Sequence, residues 1–356
     1  MDKRIEGLNK LISEAVDKGF FPGANYVLVV GDDTYYGSFG KKSLFPNVEE
    51  NDIDTLYDMA SCSKVLSTTS CVMKLLEQGK IRLYDKLVEY IPEFSNPDIN
   101  IWDLLTHSSG LPADVPGGSR TKDKDLLFEK IMNVEVTYPK NTKIVYSDIG
   151  FMLLGYMIER VSGMTLDQYA KEYVFGPLEM NDTGYKPCDK NRCAPTEVRE
   201  DDFYRGIVRG EVHDEKAYTS GGVAGHAGLF SCVKDVEKYM RMILNDGVYA
   251  GNQVLSKKTV DLLFTPQVEM KNGISLDPEK RGLGWIVKGN NTPAGDLASA
   301  KTICHTGFTG TSVVIDKENK IGFCLLSNRV HPSRKNILII PFRAKLANYI
   351  MANFGG

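Results

Sequence analysis

Apolar residues recur at helical spacing almost from the first position: Ile5, Leu8, Leu11, Ile12, Ala15 and Val16 share one face, and Gly19 ends the run. The period then changes to that of strands. Ala24 to Val30 and Thr34 to Phe39 are β-rich runs on either side of Gly31-Asp32-Asp33, the pattern of a hairpin. Toward the other end, Leu283 to Val287, Thr311 to Ile315 and Ile321 to Leu326 predict further strands, the last two joined by the polar turn Asp316 to Lys320. Between these groups the pattern is helical: Val65 to Leu76, Phe151 to Val161, and Leu166 to Tyr173, where Thr165 and Gln168 form a capping box. A final helix begins near Pro341 and carries Leu346, Ala347, Ile350 and Met351 on one face, so it packs on the sheet beside the first helix. From Tyr185 to Ser231 periodicity is lost and Gly, Asp and Arg accumulate, which marks a connecting or site-lining segment, not a core element, that borders a cleft.

A chain of 356 residues, 42% hydrophobic and 25% charged, has room for one large domain or two fused ones. Its 43 basic and 46 acidic residues give a net charge of −3 and form no basic run, which argues against a nucleic-acid partner. Met1-Asp2-Lys3-Arg4 leads straight into the amphipathic helix, and no stretch approaches the ~18 apolar residues of a membrane span. The expectation is a cytoplasmic protein that does not enter membranes. Seven cysteines lie mostly within predicted elements and follow no regular framework, so reduced thiols are expected. Cys188 and Cys193 lack a second ligand pair at zinc spacing, and no metal or cofactor is expected.

Chemistry concentrates at three places. Met59-Ala60-Ser61-Cys62-Ser63-Lys64 puts a serine at the start of a helix with a lysine one turn on, their Cβ atoms ~5–6 Å apart on one face. A serine hydroxyl needs a base to become nucleophilic, and the helix N-terminus favours a developing oxyanion. Alone, the pair reads equally as a capping serine and a solvated lysine. Two later triplets change that reading: Tyr146-Ser147-Asp148, just ahead of an apolar helix, and His305-Thr306-Gly307, followed by Phe308 on the way to a strand.

In this order the motifs resemble those of the penicillin-recognising serine hydrolases, which comprise class C β-lactamases, D-alanyl-D-alanine peptidases and related esterases. The similarity spans nearly the whole chain and includes Leu104 to Pro112, Tyr138-Pro139, Gly282 to Trp285 and Ser327-Asn328-Arg329. Gly210 to Asp214 and Gly221 to Gly228 are similar to a penicillin-binding-protein branch of that family. The resemblance implies an α/β fold of the β-lactamase/transpeptidase type: an antiparallel sheet flanked by the N- and C-terminal helices, with a mostly helical second lobe. Residues 1–60 and 220–356 would form the sheet domain and residues 61–219 the inserted lobe, with Ser61 at the junction, Tyr146 from the helical lobe and His305 from an edge strand. It also implies that Ser61 forms an acyl-enzyme, that Lys64 and Tyr146 move its proton, and that Ser61 and Phe308 N–H groups form the oxyanion hole. Asp148, His305, Thr306 and Gly307 would contact substrate, a small molecule or peptide such as a β-lactam, a D-amino-acid peptide or an ester.

Two positions depart from the family pattern. Asp148 stands where asparagine is usual, so a group that donates and accepts becomes one that only accepts when ionised. Near Lys64 its charge would hold the lysine protonated; either Tyr146 is then the base, or Asp148 points away. His305 replaces a lysine, and a neutral imidazole binds a substrate carboxylate more weakly, which argues against an efficient β-lactamase. Elsewhere, His107 reads as a buried loop anchor, His213 with Asp214 and His226 as either supporting or structural groups, His331 as structural and Trp285 as core. The expected activity is amide or ester hydrolysis. The alternative is a binder or sensor acylated once on Ser61 and not turned over.

Overall fold

Antiparallel pairing ties the two ends of the chain into one sheet. A computed structural model describes residues 2–356 apart from 202, 204, 271–277, 290 and 291. Strands β1 (Gly23–Val30), β2 (Asp33–Ser43) and β3 (Glu49–Glu50) come from the beginning. Strands β4 (Val268–Met270), β5 (Glu279–Arg281), β6 (Ile286–Val287), β7 (Thr302–Thr306), β8 (Ser312–Asp316) and β9 (Ile321–Ser327) come from the end. The spatial order is β4-β5-β6-β7-β8-β9-β1-β2-β3. The junction between the two groups is the β1–β9 ladder, which runs from Ala24 opposite Ser327 to Val30 opposite Ile321.

Both central strands are buried almost throughout because helices cover both faces, so they read as continuous apolar runs and not as alternation. One face carries α1 (Lys3–Asp17) and the last helix, α6 (Ile339–Phe354); Leu8, Ile12, Leu346 and Ile350 meet Tyr26, Leu28 and Phe323 there. The other face meets α5 (Val233–Leu244) and the helical segments that follow Ser61, among them α2 (Ser70–Glu77), α3 (Asp148–Ser162) and α4 (Leu166–Ala170). Ser147 caps α3 through the Gly150 N–H at 3.3 Å, and the capping box of Thr165 and Gln168 opens α4 as expected. All seven cysteines are free thiols. Among the described residues no helix is long and apolar enough to cross a membrane.

Three differences from the sequence reading bear on the site. First, β7 is an interior strand, not an edge: the short β4, β5 and β6 extend the sheet beyond it. Only Ile303 and Cys304 face β6, so His305 runs past the end of that strand. Second, the expected strand Leu283 to Val287 is half turn. Gly284 has φ +78°, and a Cβ there would lie 2.1 Å from Thr69 Oγ1, so the turn presses onto the segment after Ser61. Third, the uneven stretch before Ser231 is no mere connector: Gly184–Tyr185, Leu229–Ser231 and Tyr57–Asp58 form a small sheet ending two residues ahead of Ala60.

Candidate active site

Ser61 sits where that small sheet passes into a tight turn, Ala60–Cys62, followed by a wide π-type turn, Lys64–Thr69, that leads into α2. Ala60 has φ +45°, a left-handed conformation that costs a residue with a Cβ about 1–2 kcal/mol. Its backbone is held there by Asp58: Oδ1 accepts the Ala60 N–H at 2.8 Å, and Oδ2 accepts the His213 N–H at 2.7 Å. The consequence is a partly exposed Ser61 above a fully buried Lys64. Wide turns of this kind often mark functional sites, since the extra residue re-aims side chains.

Lys64 directs its three N–H bonds to three acceptors: Asp148 Oδ1 at 2.8 Å, the His226 carbonyl at 3.0 Å and Ser61 Oγ at 3.1 Å. Asp148 therefore points at the lysine, which closes one of the alternatives open from sequence. Burial works against the lysine's charge, but the carboxylate of Asp148 and the oxygen of Tyr146 outweigh it and hold the ammonium above its ordinary range. Asp148 answers in kind: burial pushes its pKa up, yet Lys64, His226 and Lys216 bring it below the usual carboxylate value.

Behind this pair lies a second buried cation. Lys216 Nζ is 3.4 Å from Asp148 Oδ2, 3.2 Å from Asp114 and 3.3 Å from Asp214. Burial opposes its charge, and the three carboxylates raise its pKa well beyond the ordinary lysine range. Asp214 also accepts from His226 Nε2 at 2.8 Å, so the residue whose carbonyl holds Lys64 is anchored to the same cluster. Asp148, Asp214 and His226 place ligand-type atoms within 4.8 Å of one another, but the Lys216 ammonium already pairs with both carboxylates from within the group.

Tyr146 lies across Lys64, with the ammonium 4.9 Å from its ring centre. His107 packs on the ring at 4.7 Å and accepts the Ser147 N–H through Nδ1 at 3.0 Å, which makes it the loop anchor expected and fixes the tyrosine's neighbour. On the other side is the His305 ring, 6.0 Å from that of Tyr146. His305 Nδ1 pairs with its neighbour's carbonyl, Thr306 O, at 3.0 Å, and burial together with Arg281 and Lys64 holds its pKa well below normal. It is a neutral imidazole. The guanidinium of Arg281, buried and paired with Glu279, stands 5.6 Å from the Tyr146 ring centre.

Thr306 ends β7, and Gly307 to Thr311 turn the chain against Met59 and Ala60. Thr309 Oγ1 donates to the Asp58 carbonyl at 2.7 Å and Thr311 Oγ1 to that of Met59 at 3.0 Å. A Cβ on Gly307 would lie 2.5 Å from the Met59 carbonyl, so only glycine permits this approach. The eight residues singled out from sequence thus converge from three distant segments. Lys216, Arg281 and the pairing of Asp214 with His226 were not legible: Lys216 lies in a five-residue helix and Arg281 in a three-residue strand, too short for a period to register. His213 pairs with Glu197 at 3.0 Å and not with Asp214, whereas His331 accepts the Leu44 N–H at 2.9 Å and is structural. Trp285 is buried in the core.

A family model described as beta-lactamase matches residues 8–348. The chain is 34% identical to an Escherichia coli K12 protein provisionally named a D-alanyl-D-alanine carboxypeptidase, over 92% of this chain and 83% of the other. It is 32% identical to a Bacillus subtilis protein named N-acetylmuramyl-L-alanine amidase, over 92% and 82%. Among solved structures it resembles an octameric penicillin-binding protein homologue from Pyrococcus abyssi, at TM-score 0.76 and 22% identity over 99% and 78% of the two chains. It also resembles EstCE1, a hydrolase with promiscuous acyltransferase activity, at TM-score 0.76 and 19% identity over 98% of each chain. The fold, the matched model and these relatives agree: the chain belongs to the beta-lactamase family of serine hydrolases.

Proposed function

We propose that this protein cleaves an amide or ester through an acyl intermediate on Ser61, and that Tyr146 is the group that takes the serine proton. The observation that carries this reading is the three-way binding of Lys64. An ammonium that donates to Asp148, His226 O and Ser61 Oγ is satisfied as a cation, so it acts by charge and leaves the hydroxyl proton to Tyr146, whose ring lies across that ammonium. The Lys64 charge stands 4.9 Å from the Tyr146 ring centre, and the Ser61 and Phe308 N–H groups receive the oxyanion. Tyr146 passes the serine proton to the leaving amine or alcohol as its bond to the acyl carbon breaks; it then takes a proton from the water that attacks the acyl ester and returns it to Ser61 Oγ as the acid departs.

For the substrate we favour an amide of cell-wall peptide type, in line with the names of the Escherichia coli and Bacillus subtilis relatives. A terminal carboxylate on such a peptide would find no cation at the neutral His305; Arg281 is the residue placed to supply one. Asp148 adds an acceptor where the substrate offers an N–H. Residues 61–219 would act as one lobe and 1–60 with 220–356 as the other, closing on the substrate between them.

The test is intact mass after exposure to a fluorophosphonate and to a penicillin, with Ser61→Ala as control, followed by turnover of an aryl acetate, a chromogenic cephalosporin and an acyl-D-Ala-D-Ala peptide. A single adduct lost in Ser61→Ala, with turnover of peptide above cephalosporin, is expected. No adduct with either reagent overturns the nucleophile, and an adduct without turnover of any substrate makes the protein a binder.

A further inference from the structure

The turn that follows His305 is held by two arginines whose positions the proposed mechanism does not yet use. Arg343, on α6, donates through one Nη to the Gly307 carbonyl at 2.8 Å and to the Thr311 carbonyl at 2.9 Å. Arg329, just beyond β9, donates through Nε to the Phe308 carbonyl at 2.8 Å, and its guanidinium lies 4.4 Å from the Phe308 ring centre. The turn closes on itself as well, with the Gly307 N–H bonded to Thr311 O at 2.8 Å. Both carbonyls that bracket the Phe308 N–H therefore accept a hydrogen bond from a cation. Among the described residues neither guanidinium forms an ion pair with a carboxylate, whereas Arg192, Arg199, Arg209 and Arg334 all do.

That arrangement is costly unless the charge is used. Burial pushes the pKa of Arg343 down to about 10, opposed by Cys62 and reinforced by Arg329, so the group is still a cation at neutral pH. Gly307 C=O and Phe308 N–H belong to one peptide unit. A charge-assisted bond to the oxygen draws electron density from the nitrogen, and linked hydrogen bonds strengthen one another by about 10–30% each. The same bond fixes the plane of the peptide, and with it the direction of the N–H.

We propose that Arg343 is a positioning residue of the oxyanion hole: it orients and polarises the Gly307–Phe308 peptide so that the Phe308 N–H binds the developing oxyanion more strongly than the ground-state carbonyl. This rests on the reading of Ser61 and Phe308 given above. An interaction that gains strength only as negative charge develops raises kcat and leaves KM alone. A staple that merely holds α6 against the sheet would act on thermal stability, and on KM and kcat together.

The experiment compares the wild-type enzyme with Arg343→Gln, Arg343→Met and Arg343→Lys in kcat and KM for an aryl acetate, in melting temperature, and in inhibition by an arylboronic acid, whose adduct on Ser61 is a tetrahedral anion. Losing a whole oxyanion donor costs about 10²–10³ in kcat, so weakening one predicts a fall of about tenfold in Arg343→Gln with KM within about twofold. Boronate affinity should fall by the same factor, and Arg343→Lys should recover most of both. Unchanged kcat and boronate affinity in a folded Arg343→Gln overturn the proposal, as does a loss confined to KM. If the glutamine variant does not fold, the same readouts on Arg343→Met decide. A wild-type enzyme that turns over ester but whose Ser61 the boronate fails to protect from the fluorophosphonate would remove the oxyanion-hole reading itself, while leaving Ser61 as nucleophile.

Discussion

Replacing Asp148 with asparagine isolates the effect of one charge on the catalytic pair. The amide keeps the shape and an oxygen able to accept from Lys64, but the anion 2.8 Å from the ammonium is gone. Two unit charges at 2.8 Å interact by about 6 kcal/mol at an effective dielectric constant of 20, an upper bound for this pair. Lys216 on the other carboxylate oxygen and the partial exposure of Asp148 both reduce it, and a single opposite charge commonly moves a pKa by about 1–3 units. We expect the first proton to leave the Lys64–Tyr146 pair at lower pH in Asp148→Asn. The sign follows because an anion that favours the protonated pair has been removed; it is the same whether the proton comes from the lysine or the tyrosine. The assay is kcat/KM for an aryl acetate across roughly pH 5 to 10, which reports the free enzyme. The acid limb should shift to lower pH, with activity gained on that side. A limb that stays in place, or moves up, refutes the coupling of Asp148 to the catalytic base.

Tyr146→Phe should slow fluorophosphonate labelling of Ser61 by about 10³-fold with little change in melting temperature; a fall under tenfold would return the base to Lys64. Arg281→Met should raise KM for an acyl-D-Ala-D-Ala peptide by at least tenfold and spare an uncharged aryl acetate, since about 1.4 kcal/mol is tenfold and a charge-assisted bond exceeds that. Equal losses on both substrates would deny Arg281 the carboxylate. Glu197 is brought to about 2, since burial, which raises it, is outweighed by bonds from His213 and Arg334. Its stabilisation of the fold is therefore complete above the ordinary glutamate pKa of 4.5 and lost as pH falls toward about 2, a swing of about 3 kcal/mol in urea unfolding that Glu197→Gln should abolish. Gly307→Ala should reduce kcat by at least about tenfold, because the added carbon meets both Thr311 Oγ1 and the Met59 carbonyl and moves the Phe308 N–H.

What could be read from the residues follows the strength of their periods. The β1–β2 hairpin, β8, β9 and the flanking helices were legible because each carries five or more residues of clear pattern. Strands β4 to β6 have two or three residues; the expected strand Leu283 to Val287 reached β6, but β4 and β5 carried no pattern, and β7 therefore looked like an edge. Ser61, Lys64, Tyr146 and His305 stood out because their chemistry sits beside strong element boundaries. Asp148 was visible as a departure, but its direction depends on Lys216 and Asp214, which approach from a segment whose order comes from ion pairs and glycine turns and carries no apolar repeat.

The last helix gives the protein a built-in order of assembly. Arg343 holds the Gly307 turn from α6, and the sheet under that turn needs β1 to meet β9, its neighbour from about 300 residues later. Contacts this far apart in sequence close late in folding. The turn beside Ser61 is therefore among the last parts of the fold to be completed, since it waits on the meeting of the chain's two distant strand groups.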